Sequence, residues 1–248
     1  MYRYTIFISD LHLSSNKPDI AKLFCKFLEE IESTTDAIYI LGDLFQLWIG
    51  DDDHSIFNEQ IKNSLRLASS KTLIYLMPGN RDFLLGSAFA RESGCILIPD
   101  PYEFNLYGKR ILLTHGDLLC SKDSKYHIFR KIIRIHWGIK IFLRLPLKIR
   151  SWFAINTQKI STKIKAGKNH QVLVAQLEEV SKNLLCKYNS DQLIHGHVHV
   201  AETGEFEIGT KQVHRFSLGG WDTQGSILLY YSNNNFAFKI LTTANLEK

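Results

Sequence analysis

Five apolar runs in this 248-residue chain each end on a side chain that can bind a metal ion. TIFIS runs into Asp10-Leu11-His12, AIYIL into Gly42-Asp43, and TLIYLM into Gly79-Asn80-Arg81-Asp82 after Pro78. RILLT runs into His115-Gly116-Asp117, and QLI into His195-Gly196-His197-Val198-His199. Short runs of this kind, bounded by Gly, Asp or Asn, predict buried strands. A buried strand that ends on a polar side chain delivers it into the crevice at its C-terminal end, and five such strands point to one shared crevice. A single Asp-x-His or Gly-Asp at a strand end is usually a turn or cap, so the weight lies in the series. Asp10, Asp43, Asn80, His12, His115, His197 and His199 offer two carboxylates, one amide oxygen and four imidazoles. One ion rarely takes seven ligands, whereas two ions sharing a bridging carboxylate do.

The order D-x-H, GD, GN, H, GHxH resembles that of the calcineurin-like metallophosphoesterases, and the whole series is intact here. The resemblance implies a mixed α/β fold, the four-layer αββα sandwich of that family. Asp43, alone after a glycine, is the natural bridge between two ions. Asp10, His12 and His199 would complete one shell, and Asn80, His115 and His197 the other. Such mixed oxygen and nitrogen ligands suit two Mn²⁺ ions better than a structural zinc, which favours cysteine.

Two departures narrow the substrate. Ser/Thr protein phosphatases continue their first Gly-Asp with a further Asp-Arg-Gly, but here Leu44-Phe45-Gln46-Leu47-Trp48 follows. Those enzymes also carry a His after the Gly-Asn, which protonates an alkoxide leaving group; here that position is Arg81. An arginine cannot act as a general acid near neutral pH, but its fork clamps phosphate oxygens. A leaving group that is itself a phosphate monoester needs little protonation, so Asn80-Arg81 points to a pyrophosphate. Asp43, Asn80, Arg81, His115 and His197 are therefore the expected catalytic set.

Charge is unevenly spread. From Lys122 to Lys168 there are thirteen Lys and Arg and one acid, Asp123, so this segment carries +12 of a chain whose net charge is +5, leaving −7 on the remainder. The segment is also rich in large apolar groups, among them Ile132, Trp137, Phe142, Leu143, Trp152 and Phe153. It reads as helical, with Pro146 ending one helix or starting the next. A solvated basic face, a nucleic-acid surface and a lipid-binding lid compete for it. Ile and Leu outnumber aromatics there, and stacking on bases needs aromatics, so lipid is favoured and nucleic acid is not expected.

At this length one domain, 1–248, with a helical lid inserted at about 122–168, is as natural as two. Strands are expected near 4–9, 37–41, 73–77, 103–107, 110–114, 192–195, 206–208, 213–218, 226–231 and 235–241. Helices are expected near 18–32, 55–70, 83–92, 124–165 with interruptions, and 169–187. Cys25, Cys95, Cys120 and Cys186 show no disulfide-like or CxxC spacing and read as reduced thiols of a cytosolic protein. Met1-Tyr2-Arg3-Tyr4 runs directly into the first strand, with no leader expected. No stretch approaches the length of apolar chain that a membrane span requires.

Longer strings give a narrower resemblance. GDLFQLWIGDDD (from Gly42), GNRDFLLG (from Gly79), FARESG (from Phe89), HGDLLCSKD (from His115), HGHVH (from His195) and GWDTQG (from Gly220) closely resemble the UDP-2,3-diacylglucosamine hydrolases of lipid A biosynthesis. That family implies cleavage of a diacylated UDP-sugar into UMP and the diacylated sugar 1-phosphate, with manganese. It also implies peripheral work at the cytoplasmic face of a Gram-negative inner membrane, with the basic segment as a lid over the acyl chains. No obligate protein partner is expected. Position by position, it implies substrate contacts at Asn80, Arg81, Asp123, Ser161, Lys165, Lys168 and His197. Lys165 stands where Asn is usual and Gln46 where Glu is frequent. The alternative is a phosphodiesterase or nuclease of the same superfamily; a scaffold without chemistry would have lost ligands, and none is missing.

Overall fold

The computed structural model describes residues 2–119, 124–165 and 170–245. Its first sheet is built around four parallel strands, β1 (Tyr4–Ile8), β2 (Thr35–Leu41), β3 (Leu73–Met77) and β4 (Ile96–Leu97). The second contains β5 (Tyr102–Leu106), β6 (Lys109–Thr114), β7 (Gln192–His195), β8 (Glu202–Ile208) and β9 (Lys211–Ser217) in the order β5-β6-β7-β9-β8. Its central strands β6, β7 and β9 are parallel. The last two strands, β10 (Gly225–Tyr231) and β11 (Phe236–Leu241), return antiparallel to the free edge of β1, giving the order β11-β10-β1-β2-β3-β4.

Successive side chains of a strand point to opposite faces, and here both faces are buried. Ile6, Ile8, Ile38 and Ile40 pack outward under α1 (Pro18–Glu29), α2 (Ile56–Ser69) and α3 (Ser87–Ser93). Their neighbours Phe7, Tyr39 and Leu41 point inward and meet Ile111, Leu113, Ile194 and Phe216 of the second sheet. Leu112, Leu193 and Val213, on the far face of that sheet, pack with Leu177 and Leu185 of α7 (His170–Tyr188). Helices, sheet, sheet and helix thus form four layers with three apolar interiors, the αββα arrangement expected.

The basic segment is helical as predicted: α4 (Ser124–Ile133), α5 (His136–Leu143) and α6 (Leu147–Lys165). Pro146 precedes α6, and its carbonyl accepts from the N–H groups of Ile149 at 2.9 Å and Arg150 at 3.2 Å. Ile139, Phe142 and Leu143 of α5 pack against the edge of the outer core. Two expectations need correction. The helix expected over 83–92 starts only at Ser87, and the short strand β4 was not foreseen. Gly86 stands at the N-cap of α3 with no side chain to cap it, and the cap comes from far away: Asp51 accepts from Gly86, Ala88 and Phe89 N–H at 3.0–3.1 Å. A two-residue strand leaves no periodicity to read.

Candidate metal centre

Loops from the C-terminal ends of β1, β2, β3, β6 and β7 converge, and their backbone is bent to do so. Eight non-glycine residues have positive φ among those described; five are Asp10 (55°), His12 (49°), Asp43 (53°), His197 (70°) and His199 (62°). Left-handed backbone costs a non-glycine residue roughly 1 kcal/mol or more and persists only where surroundings over-determine it. Gly42 (φ 91°) and Gly79 are required by close approach: a Cβ at Gly42 would lie 2.4 Å from His115 Nδ1, and one at Gly79 2.3 Å from Asp43 Oδ1. Cross-loop hydrogen bonds lock the set, Asp10 N–H donating to Gly42 O at 3.1 Å, His12 N–H to Asp43 O at 3.0 Å, and Gly196 N–H to His115 O at 3.0 Å. His197 N–H donates to Asp10 Oδ2 at 2.7 Å, and Arg81 N–H to Asp43 Oδ1 at 2.8 Å.

All seven predicted ligands are brought together. On one side His12 Nε2 and His199 Nε2 lie 3.2 Å apart, with Asp10 Oδ1 at 3.9 and 3.5 Å from them. On the other, His115 Nε2 lies 2.9 Å from Asn80 Oδ1 and 3.3 Å from His197 Nδ1. Asp43 stands between, Oδ2 3.9 Å from His12 Nδ1 and Oδ1 3.7 Å from His115 Nε2. Asp10 also spans the centre, since it groups with His12 and His199 and equally with His115 and His197. Two carboxylates, rather than Asp43 alone, therefore face both halves.

Burial sets the protonation. It pushes His12 down to about 3 against the pull of Asp10, so this imidazole is neutral with its lone pair available. Burial would lower His115 too, but Asp43, Asp10 and Asp117 outweigh it and raise the ring to about 9. Burial opposes ionisation of Asp10, yet the His199 imidazole 3.5 Å away and the charge of His115 hold its carboxyl below the ordinary range. For Asp43 burial prevails and the carboxyl is raised, though His115 pulls the other way. Among the described residues, Asp10 Oδ1 and His12 Nδ1 are buried with no hydrogen-bond partner. Buried polar atoms are as a rule hydrogen-bonded, and these two belong to an O/N set, with no thiolate in it, that fits hard or borderline divalent cations.

The calcineurin-like phosphoesterase family model matches residues 4–201. The UDP-2,3-diacylglucosamine hydrolase of Photorhabdus laumondii is 41% identical, covering 90% of this chain and 93% of its own length. That of Pseudomonas aeruginosa is 41% identical over 93% and 96% of the two chains, and that of Coxiella burnetii 39% identical over 96% and 99%. The chain belongs to the UDP-2,3-diacylglucosamine hydrolase family of calcineurin-like phosphoesterases.

In this phosphoesterase Arg81 lies beside the centre, its Nε 3.6 Å from Asp43 Oδ2. Of the other expected substrate contacts, Asp123 and Lys168 lie outside the described residues, and Ser161 and Lys165 fall in the C-terminal part of α6. His195, the first histidine of the HGHVH string, is buried outside the ligand set, Nδ1 2.9 Å from Gly196 O and Nε2 3.4 Å from Arg215. Burial pushes it down to about 4, so it is neutral.

Several supporting residues were not singled out by the sequence reading. Asp82 accepts from Gly79 N–H at 2.7 Å and Phe45 N–H at 3.3 Å, tying together the two loops that carry Asn80 and Asp43. Burial and the charge of Asp43 raise its carboxyl to about 7. The GDDD string divides its work: Asp51 caps α3 and accepts from Trp48 Nε1 at 3.1 Å, and Asp52 pairs with the buried Arg150 of α6. The one available signal was that a run of three acids outside the ligand set needs partners, and a basic segment elsewhere supplies one.

Proposed function

We propose that this enzyme hydrolyses the pyrophosphate bond of UDP-2,3-diacylglucosamine, giving UMP and 2,3-diacylglucosamine 1-phosphate, with two divalent ions and manganese as the first candidate. The observation that carries the reading is the facing pair of histidine pairs around two buried carboxylates, with Arg81 at their edge. Asp10, His12 and His199 would hold one ion, Asn80, His115 and His197 the other, with Asp43 between. When bound, two such ions neutralise phosphoryl oxygens and make hydroxide accessible from water at neutral pH. Water oxygen forms a bond to phosphorus, the bridging P–O bond breaks, and the departing phosphate monoester leaves as a stable anion. That is why position 81 serves with a guanidinium, which binds phosphate oxygens in a fork and gives up no proton.

The family resemblance extends substrate binding to Asp123, Ser161, Lys165, Lys168 and His197, around a segment that suits acyl chains. Trp137 is 67% and Trp152 62% exposed, and Ile128, Ile132, Ile141 and Phe153 are exposed with them. Lys131, Lys140 and Lys148 are exposed on the same helices, and Arg144 just after α5. Exposed apolar groups rimmed by cations suit an anionic lipid surface, which supports a lid and peripheral work at the inner membrane. Among the described residues no helix is long and apolar enough to cross a membrane.

Product analysis tests the reading. A diacylated UDP-glucosamine and bis-p-nitrophenyl phosphate are compared with and without Mn²⁺. UMP and the sugar 1-phosphate, formed only with metal and far faster than nitrophenol, are expected. Faster turnover of the simple diester would favour the phosphodiesterase alternative.

A further inference from the structure

Helix α4 reaches the metal centre from outside the five ligand-bearing strands, with Arg130 in its last turn and Arg134 just past its end, where the Arg134 N–H still donates to Arg130 O at 3.3 Å. Arg130 Nε donates to Asp117 Oδ2 and Arg130 Nη2 to Asp100 Oδ2, both at 2.6 Å. Arg134 Nη2 donates to Gly79 O at 2.7 Å, with its guanidinium carbon 5.9 Å from the centre of the Phe83 ring. Gly79 is the residue before Asn80, and Asp117 lies two residues after His115. Asn80 and His115 meet at 2.9 Å in the same half of the centre. The C-terminal end of α4 therefore grips both loops that supply that half.

The other half is held within the scaffold. Asp10 and His12 donate their N–H groups to Gly42 O and Asp43 O, and Trp221 N–H donates to Asp10 O at 3.1 Å. A charged donor on the Gly79 carbonyl fixes the peptide plane that leads into Asn80. Gly79 has no side chain to fix that plane itself, because the close approach of Asp43 leaves no room for one. Asp117 is buried, and its Oδ2 is held by Arg130 Nε, so the guanidinium braces the His115 loop directly.

We propose that Arg130 and Arg134 are positioning residues that set the metal affinity of the Asn80–His115–His197 half of the centre, so that the docking of α4 governs whether the second ion is held. This rests on the two-ion reading above. It makes the basic segment part of the assembly of the metal centre as well as a surface for substrate.

The test is a Mn²⁺ titration followed by electron paramagnetic resonance, which counts free ions and shows the spin coupling of a bound pair. Wild type should bind two ions with a coupled signal. Arg134→Ala should keep one ion near its wild-type affinity and bind the second about tenfold or more weakly, as for other partners that orient metal ligands. Arg134→Lys, which still donates to a carbonyl, should recover most of that loss, and Arg130→Lys should show a smaller loss than Arg130→Ala. Thermal unfolding of the metal-free variants confirms that each is folded. Unchanged binding of both ions, equal weakening of both, or unchanged metal binding with a raised KM would overturn the assignment; the last would make the arginines substrate contacts. One ion bound by wild type would instead sink the two-ion reading itself.

Discussion

Arg150 is 1% exposed, and it joins α6 to the loop that follows β2. Its Nε donates to Leu145 O at 2.8 Å and its Nη1 to Ile49 O at 2.7 Å, while Nη1 and Nη2 grip the two carboxylate oxygens of Asp52. Arg150→Ala removes all four hydrogen bonds and leaves two carbonyls without these donors. Removing one partner of a buried ion pair costs about 3–5 kcal/mol. The Asp52 side chain is 58% exposed and exchanges its guanidinium for water at little cost, so the expected loss is near the lower bound, about 3 kcal/mol. For a chain of this length each kcal/mol is roughly 2–4 °C in Tm, which predicts a fall of about 6–12 °C in calorimetry of the Mn²⁺-loaded enzyme. Asp52→Asn should cost much less, because Arg150 keeps its two carbonyl acceptors. A Tm within about 3 °C of wild type for Arg150→Ala would refute the reasoning, since it would mean that this pair adds nothing beyond its own desolvation.

Four further outcomes are expected. Asp43→Ala should retain less than about a tenth of the wild-type rate at saturating Mn²⁺, because both ions lose a ligand and their repulsion is left unscreened; a higher rate in a steady-state assay would argue against two-ion chemistry. Arg81→Ala should lower kcat/KM by about 2–4 kcal/mol equivalent while metal content by mass spectrometry stays near wild type; loss of metal would show that Arg81 shapes the centre. Replacing Trp137 or Trp152 by Ser should erode the preference for diacylated UDP-glucosamine over UDP-N-acetylglucosamine, at about 0.8 kcal/mol per methylene no longer buried, and leave a small diester unaffected. Equal losses on both substrates would reduce the segment to a brace. Finally, Arg150 holds the Asp52 carboxyl below its ordinary 3.8, so its contribution to stability is present above pH 3.8 and fades as pH falls through the lower folded value. Acid titration of Tm should show that fading in wild type and lack it in Asp52→Asn.

Much of this protein is legible in its sequence because its determinants are local. Each candidate ligand lies within a few residues of the end of its strand, so an apolar run and the polar residues after it identify both the element and the side chains it presents. The seven candidate ligands and the helical character of the basic segment needed only neighbours in the chain, and the meaning of Arg81 only a comparison of motifs. Pairings across long separations were not legible. Asp51 caps a helix 35 residues away, and Asp52 meets Arg150 98 residues later. Arg134 grips a carbonyl 55 residues back. Nothing in a +12 segment distinguishes the inward-facing Arg130, Arg134 and Arg150 from Lys131, Lys140 or Lys148, which stay at the surface. That Asp10 spans both halves of the centre alongside Asp43 was likewise decided only in three dimensions, where positive-φ backbone bends the loops after β1, β2 and β7 toward one another. Backbone pattern and side-chain chemistry are written along the chain; which charges end up buried together depends on how the layers pack, and only the tertiary structure settles that.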